Sequence, residues 1–599
     1  MTTRFSFATV LLVAEIAASP SLALSGDASA PAPTYRSPIH ITLSLDGRRA
    51  FVINHTGGSV SVIDVAARRV LGEFLVGASP VQAAISRDGR TLYVTNRFGA
   101  AIDVVDLEER RVVRTLQAGY EPYGIAISAD GRRLYVANSQ SDAVSIIAIE
   151  SGETLGQIPV GREPRYLTET AGGTQLVVGN SLSRSVSIID VASTRQVEAR
   201  ALGRASLLRD VVSSRDGRWA FAAHVVSHDE QIPLQMERGW INSNGISVLD
   251  LQRPGHYVTL LLDTILSGAA NPWGLALSAD QRRLYVSLAG VHQIAIVDVD
   301  KALSLVKETA TDAVEALAQN VEIVESRDIA RRVDAGGIGP RGLAVSEATG
   351  ELLVANYFSD SVSVLDAMQG EIKAVIPLAT APEMTLERRG EILFNDARLC
   401  FQQWFSCASC HEEDATIDGL NWDLANDGLG NPKNVKSLHD AHDTSPAMWT
   451  GVREDMEEAV AAGERFLGIL PEPENHRALL AFIISAHRAP NPYRDRSPDA
   501  VRRGEQVFHK ARCPVCHPPP KFTDQKMRDL GMAGGTDFGS RFDTPSLREC
   551  YRTAPYLHDG RAATLMEIFT EHNPDNLHGL TRNLTERELA DLVEYLRSL

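Results

Sequence analysis

Residues 51–54 read FVIN, 93–96 YVTN, 135–138 YVAN and 177–180 VVGN, so Asn54, Asn96, Asn138 and Asn180 recur every 42 residues. Weaker copies follow as FAAH at 221–224, YVSL at 285–288 and LVAN at 353–356, which makes seven. An alternating strand recurs between the phrases, as in Val60-Ser61-Val62-Ile63-Asp64 and Val144-Ser145-Ile146-Ile147. Arg87-Asp88-Gly89 and Ala129-Asp130-Gly131 are turns, since Asp-Gly suits a tight hairpin with positive φ. Pro80, Pro122, Pro164, Pro272 and Pro340 each stand just before a short apolar strand. Three or four short strands per 42 residues is the arithmetic of a β-propeller blade, and it predicts seven blades over residues 37–379. Residues 39–45 precede the first phrase and are expected to complete the last blade and close the ring.

These phrases are similar to the repeats of the YVTN-type seven-bladed β-propeller family, over about 340 residues. The resemblance implies a fold and no particular chemistry. The blade-end asparagines read as partners of turn backbone groups rather than ligand contacts. A metal-dependent lactonase propeller would need converging carboxylates or histidines, and none shows at recognisable spacing. Two insertions break the period. Blade five gains about 20 residues, including His224, His228, Trp240 and Asn244; blade six gains a helical stretch over residues 301–321. Loop insertions on a propeller face often bind, so both are candidate docking elements for the neighbouring domain or a partner.

Composition narrows the class. The 599 residues are 44% hydrophobic and 23% charged, which excludes collagen, disorder and a disulfide-stapled mini-protein. A net charge of −17 argues against nucleic acid as a partner. Arg4, the apolar run 5–18 and small residues at Ala23 and Ser25 read as a signal peptide over residues 1–25. Residues 26–36 then form a flexible leader, and no later apolar run is long enough to span a membrane. Export to the periplasm or beyond is the expectation, into a compartment that oxidises free thiols.

After about residue 380 the strand phrases stop and helical, charged text begins. Cys407-Ala-Ser-Cys410-His411 and Cys513-Pro-Val-Cys516-His517 are two copies of C-x-x-C-H, the c-type haem attachment sequence. Two thiols add to the two haem vinyl groups, and the adjoining histidine supplies the proximal nitrogen to iron. A thioredoxin-like pair would not require the histidine, and a zinc knuckle would need more ligands at short range. The flanks are duplicated too. Arg389-Gly390-Glu391-x-x-Phe394 precedes the first motif and Arg503-Gly504-Glu505-x-x-Phe508 the second. Thr444-Ser-Pro446-Ala-Met-Trp449-Thr-Gly451 matches Thr553-Ala-Pro555-Tyr-Leu-His558-Asp-Gly560 at an offset of 109. Each half closes with a helix, one over residues 474–487 and one starting at the capping box Thr585-x-x-Glu588. Helix, haem motif, loop, helix is a small cytochrome c. Two stand in tandem, over residues 385–490 and 497–599. The fold class is therefore multidomain: an all-β propeller, then a mostly α tandem cytochrome c domain over residues 380–599 that carries two covalent haems.

This duplicated text resembles the bacterial dihaem cytochrome c peroxidase superfamily, which includes MauG, over residues 386–599. The resemblance implies three further sites. Trp449, in Trp-Thr-Gly-Val, matches the tryptophan between the family's haems and is the implied electron relay. Asn434, with the carbonyls of Thr553 and Pro555, matches the family's calcium ligands, with Asn431 a nearby competitor. His572, seventeen residues after Pro555, stands where the family places the second haem's sixth ligand; His558 and His578 are the alternatives. The first haem shows no clear second ligand, since His439 and His442 lie in a loop and Gly463 stands opposite His572. It is the candidate reactive centre for hydrogen peroxide or oxygen. The family's distal Gln and Glu are replaced here by Ala459 and Ile469, so Glu458 or Glu464 becomes the candidate acid–base group. The implied activity is a peroxidase-like periplasmic oxidoreductase with the propeller as docking platform. Its implied partner is a small cytochrome c, a cupredoxin or a protein substrate. The alternative is a non-catalytic electron-transfer or redox-sensing dihaem cytochrome. Cys400 and Cys550 are left over, and an oxidising compartment would allow them to pair.

Overall fold

Each repeat folds as four antiparallel strands in sequential order, and seven such blades follow one another along the chain. This computed structural model describes residues 34–229, 241–412, 414–423, 430–470, 472–486, 488–535, 537 and 539–599. The expected signal peptide and most of the expected leader, with Trp240 and His487, lie outside the described residues. In blade two, Pro80–Ile85, Thr91–Asn96, Ala101–Asp106 and Arg111–Gln117 pair side by side. Proline opens the innermost strand, a position where a missing N–H is tolerated. The first hairpin is shaped by its own side chains. Ser86 donates to Asp88 at 2.5 Å, the Arg90 N–H donates to the same carboxylate at 3.1 Å, and Gly89 takes φ +72°. The second strand of each blade is almost wholly buried between its neighbours, and the fourth is the exposed rim except in blade five, where Tyr257–Leu261 is buried.

The blade-end asparagines are structural, by a route the repeat does not announce. Asn54 donates to the hydroxyls of Ser59 and Ser61 at 3.0 and 2.8 Å. Asn180 does the same to Ser185 and Ser187, and Asn356 to Ser361 and Ser363. Their partners are hydroxyls of the next strand; Asn138 adds the backbone carbonyls of Val136 and Ala143.

Ring closure differs from the expectation. Residues 39–45 do not complete the last blade. Pro38–Leu43 pairs with Arg49–Asn54 as the inner strand of blade one. Every repeat carries four strands of its own, so blade seven, from Pro340–Ser346 to Ile372–Pro377, has no place for a fifth. Side chains close the ring. Ile41, Val52 and Ile63 pack with Leu353, Val362 and Ile376. Asp360 accepts from the backbone N–H groups of Ser37 and Arg36 at 2.7 and 3.0 Å.

Blade five lengthens its middle strands to Trp219–Ser227 and Asn242–Asp250. Blade six inserts helix α1 (Val299–Glu308), whose N-terminus is capped by the Asp298 side chain. Helix α1 buries Val299, Ala302, Leu305 and Val306 against Trp219, Val258 and Leu260 of blade five. The blade-six insertion therefore covers its own propeller, and Val321 beyond it touches the next domain beside Trp404 and Phe405.

Helices dominate after Pro377: α2 (Leu386–Asn395), α3 (Met456–Leu467), α4 (Pro473–Ser485), α5 (Pro498–Lys510), α6 (Leu565–Thr570) and α7 (Glu586–Arg597). Helix α2 packs on α4, and α5 on α7. The duplicated Arg-Gly-Glu marks these crossings. A Cβ on Gly390 would stand 2.6 Å from the Ala478 carbonyl carbon, and one on Gly504 2.7 Å from that of Asp591. Phe394 and Phe508 fill the two module cores beside them. Cys400 and Cys550 are both free. Cys400 packs with Trp404 and Phe405, while Cys550 sits in the second module's core and donates to the Leu596 carbonyl at 3.0 Å. Among the described residues no helix is long and apolar enough to cross a membrane.

Candidate functional site

The two C-x-x-C-H motifs fold alike. Each forms one tight turn, in which the second cysteine N–H donates to the first cysteine's carbonyl at 3.2 Å and the histidine N–H to the same carbonyl at 2.9 Å. That turn brings both thiols and the imidazole to one side. The rings are oriented alike as well: His411 Nδ1 bonds the Thr416 carbonyl at 3.3 Å and His517 Nδ1 the Phe522 carbonyl at 2.9 Å. A bonded Nδ1 leaves Nε2 for a metal. Burial holds the His411 imidazole at about 4 and pushes the His517 imidazole below its usual value, so both rings are neutral at pH 7, the ligating form.

The second motif opens on a cavity of about 250 Å³. Cys513, Cys516 and His517 line it with Trp449, Asn434, Thr553, Pro555 and His578. The wall is largely apolar, including Phe508, Leu547, Leu557, Ile568 and Phe569. His578 has its ring centre 6.4 Å from that of His517, and its Nδ1 is buried with no partner among the described residues. His572 is not among the lining residues. His558 is stacked on Phe542 at 3.8 Å, and its Nε2 bonds Asp537 at 2.9 Å. His439 has both nitrogens engaged, with Glu549 at 2.6 Å and the Asp414 carbonyl at 2.8 Å. A soft-walled cavity with two cysteines, a neutral histidine and a second buried histidine suits a covalently held haem.

The first motif is enclosed by apolar side chains. Cys407 touches the clusters around Phe394, Leu479 and Ile483 and around Trp404, Phe405 and Ile469, and Cys410 packs near Trp422 and Phe466. Ala459 is half-buried and Ile469 buried. Glu464 is buried on α3, accepts from His476 Nδ1 at 2.8 Å, and has Oε1 without a partner among the described residues. Burial pushes the Cys407 thiol up to about 12, and the nearby Glu464 charge adds to the effect. Glu458 is exposed at the start of α3, where it accepts from the Glu454 N–H at 2.7 Å.

Trp449 joins the two modules. Its Nε1 donates to the Asn434 carbonyl at 2.7 Å, and its own carbonyl accepts from Asp543 N–H at 2.7 Å. The Lys436 ammonium lies 5.1 Å from its ring centre. Asn434 also meets the Pro555 carbonyl, and its Oδ1 is buried without a partner among the described residues. Asn431 is occupied with Lys433. Sequence reasoning kept His578 only as an alternative to His572 and did not single out His476. The offset of 109 residues was a signal for the first, since it sets His578 against Ile469.

A family model described as cytochrome D1 heme domain matches residues 45–239, and one described as di-haem cytochrome c peroxidase matches residues 385–474. The gamma subunit of hydrazine synthase from Kuenenia stuttgartiensis is 31% identical over 273 residues, covering 36% of this chain and 77% of that one. The beta subunit from the same organism is 32% identical over 174 residues, 29% of this chain and 45% of that one. A solved chain of Kuenenia stuttgartiensis hydrazine synthase superposes with a TM-score of 0.54 at 31% identity, over 57% of this chain and 98% of that one. Two attachment turns of one geometry, a tryptophan bonded to both modules and these matches lead to one conclusion: the chain joins a seven-bladed β-propeller to a helical region that belongs to the di-haem cytochrome c peroxidase family.

Proposed function

We propose that the chain is an exported di-haem oxidoreductase of peroxidase type, with a reactive first site and an electron-transferring second site. When bound, the two c-type haems supply one-electron chemistry, and an iron without a sixth protein ligand is where hydrogen peroxide or oxygen is reduced. One contrast carries this reading. Ile469 and His578 stand at the same offset that relates the two halves. Ile469 is buried among Trp404, Phe405 and Leu467 and has no atom able to ligate. His578 faces the second cavity beside His517. His578 with His517, and not His572, would therefore hold the second haem. Trp449 offers the route between the sites, because it touches both modules. Glu464 is the group that holds and moves a proton at the first site through its free Oε1, with His476 as its partner toward the surface. Exposed Glu458 serves instead as a cap of α3. Asn434 Oδ1 with the Thr553 and Pro555 carbonyls makes an all-oxygen set suited to calcium, which would hold the modules in register. A small cytochrome c or cupredoxin would deliver electrons at the second motif's edge, where Val515 is exposed.

The test is the spin state of the purified holoprotein, with and without peroxide. The expected oxidised spectrum has one high-spin and one low-spin haem, and peroxide alters the high-spin one. His578→Ala is expected to convert the low-spin haem, and His572→Ala to leave it unchanged. Two low-spin haems inert to peroxide would sink the proposal in favour of a non-catalytic electron carrier. A second reading draws on the matches to two subunits of one enzyme: a component of a hydrazine-forming assembly. Hydrazine formation without peroxide turnover would decide for it.

A further inference from the structure

The two attachment turns share a fold but not a setting. Val515, inside the second motif, is 65% exposed, whereas Ala408 and Ser409, inside the first, are each 1% exposed. The cover over the first is the propeller. From blade five, the Asn242 amide approaches Cys410 Sγ at 3.9 Å, and Asn244 donates to the Trp404 carbonyl at 2.9 Å. Asn271, just before blade six, donates to Ser406 and accepts from Ser409, both at 3.0 Å. Those two serines form the capping box that shapes the Cys407–Ser409 turn. From blade four, Arg165 pairs with Glu412, the residue next to His411, and with Glu163 at 2.7 Å. From blade two, Arg97 pairs with Asp414 and, at 2.8 Å, with Glu121.

The Arg165 pairs and Arg97 with Glu121 are buried ion pairs; such pairs gain little stability over an apolar core, but displacing one partner leaves an uncompensated buried charge. These contacts grip one segment at Trp404, Ser406, Ser409, Cys410, Glu412 and Asp414, on both sides of His411. That segment also supplies the Thr416 carbonyl that orients the His411 ring. Groups outside the ligand set that orient a histidine tune the metal it holds.

We propose that the propeller face is a working part of the first haem site. Arg165, through Glu412, and Asn271, through Ser406 and Ser409, are positioning residues. They hold His411 and its attachment turn, and so set the first haem's potential and ligation while leaving the second haem to itself. The proposal rests on haem attachment at both motifs, not on peroxide chemistry.

The experiment is a redox titration of the full-length holoprotein by visible absorption, with EPR of the oxidised state. Two haems per chain in the parent protein must be found first; their absence defeats the attachment reading itself. In Arg165→Met and Asn271→Leu, the first haem's oxidised-to-reduced ratio at a fixed potential is expected to change about tenfold, which is 59 mV for one electron. Its EPR signal should change as well, and the second haem's titration should not. Arg165→Lys, which keeps the charge, should restore most of the parent behaviour. If Arg165→Met fails to fold, Asn271→Ser carries the same test. A folded variant in which neither haem shifts, or in which both shift together, would overturn the proposal.

Discussion

Replacing Gly504 by alanine sets two effects of opposite sign against each other at the crossing of α5 and α7. Alanine is the better helix former, by about 1 kcal/mol in a helix interior. On that ground alone the variant would be the more stable protein. The crossing reverses the sign. The new Cβ would lie 2.7 Å from both the Asp591 carbonyl carbon and Tyr595 Cβ, and closer still to the Asp591 oxygen, where ordinary contact begins at 3.4 Å. The obstacle is helix backbone, which cannot rotate away as a side-chain end can. The carbon contacts alone require the helices to part by roughly 0.7 Å and the oxygen requires more, and a gap of about that size already forfeits a quarter to a half of the dispersion across it. Leu592 is fully buried there, and Phe508 and Tyr595 pack beside it. Overpacking of this kind costs about 1–3 kcal/mol, and a rigid backbone obstacle points to the upper end. Net of the propensity gain, Gly504→Ala should destabilise by ~2 kcal/mol. Urea unfolding of the holoprotein, followed by far-UV circular dichroism and by second-haem absorbance, measures it. Gly535→Ala is the control, since no heavy atom of the described residues lies within 4 Å of its added Cβ, and it should lose no stability. A Gly504→Ala protein as stable as the parent, or more so, would refute the crossing geometry and with it the explanation of the duplicated Arg-Gly-Glu.

Other outcomes follow from the same geometry. Arg97→Met leaves buried Glu121 with Arg552 at 3.6 Å as its remaining cation and takes a cation from part-exposed Asp414, so it should destabilise by about 3 kcal/mol in urea unfolding, the lower end for a broken buried pair. His224 is fully buried in blade five, and burial depresses its imidazole from 6.5 to about 4. The stability tied to its neutral form is complete above pH 6.5 and is lost as pH falls through 4, about 3 kcal/mol at 1.36 kcal/mol per pH unit. His224→Gln should flatten that acid limb in unfolding midpoints measured against pH; an unchanged limb would show that other groups set it. Trp449→Phe removes the indole donor to Asn434, and should slow electron transfer between the haems about tenfold, equal to about 1.4 kcal/mol of barrier. Flash reduction of the second haem reads that rate, and an unchanged rate would take Trp449 off the route.

Much of the fold was legible because propeller blades are local. Asn54, Asn180 and Asn356 find their serine partners five and seven residues later, so these repeats carry their own hydrogen bonds. The Ser-x-Asp-Gly turn is likewise complete within a few residues. Ring closure was misjudged because it depends on blade one meeting blade seven some 300 residues away, through Asp360 and the Leu353 cluster. The candidate site divides the same way. Its cysteines and proximal histidines are one helical turn apart, and covalent chemistry dictates that spacing.

The amino-acid sequence by itself determined the seven blades, the tandem helical modules and the two attachment turns, because each is built from contacts within a few dozen residues. Only the tertiary structure decided that His578 rather than His572 lines the second cavity, that Glu464 is buried while Glu458 is exposed, and that the propeller seals the first motif. Each of those choices turns on chain segments that share no local pattern. A histidine's neighbours across a cavity, and an arginine's partner in another domain, are set by how distant segments pack, and no spacing along the chain encodes them.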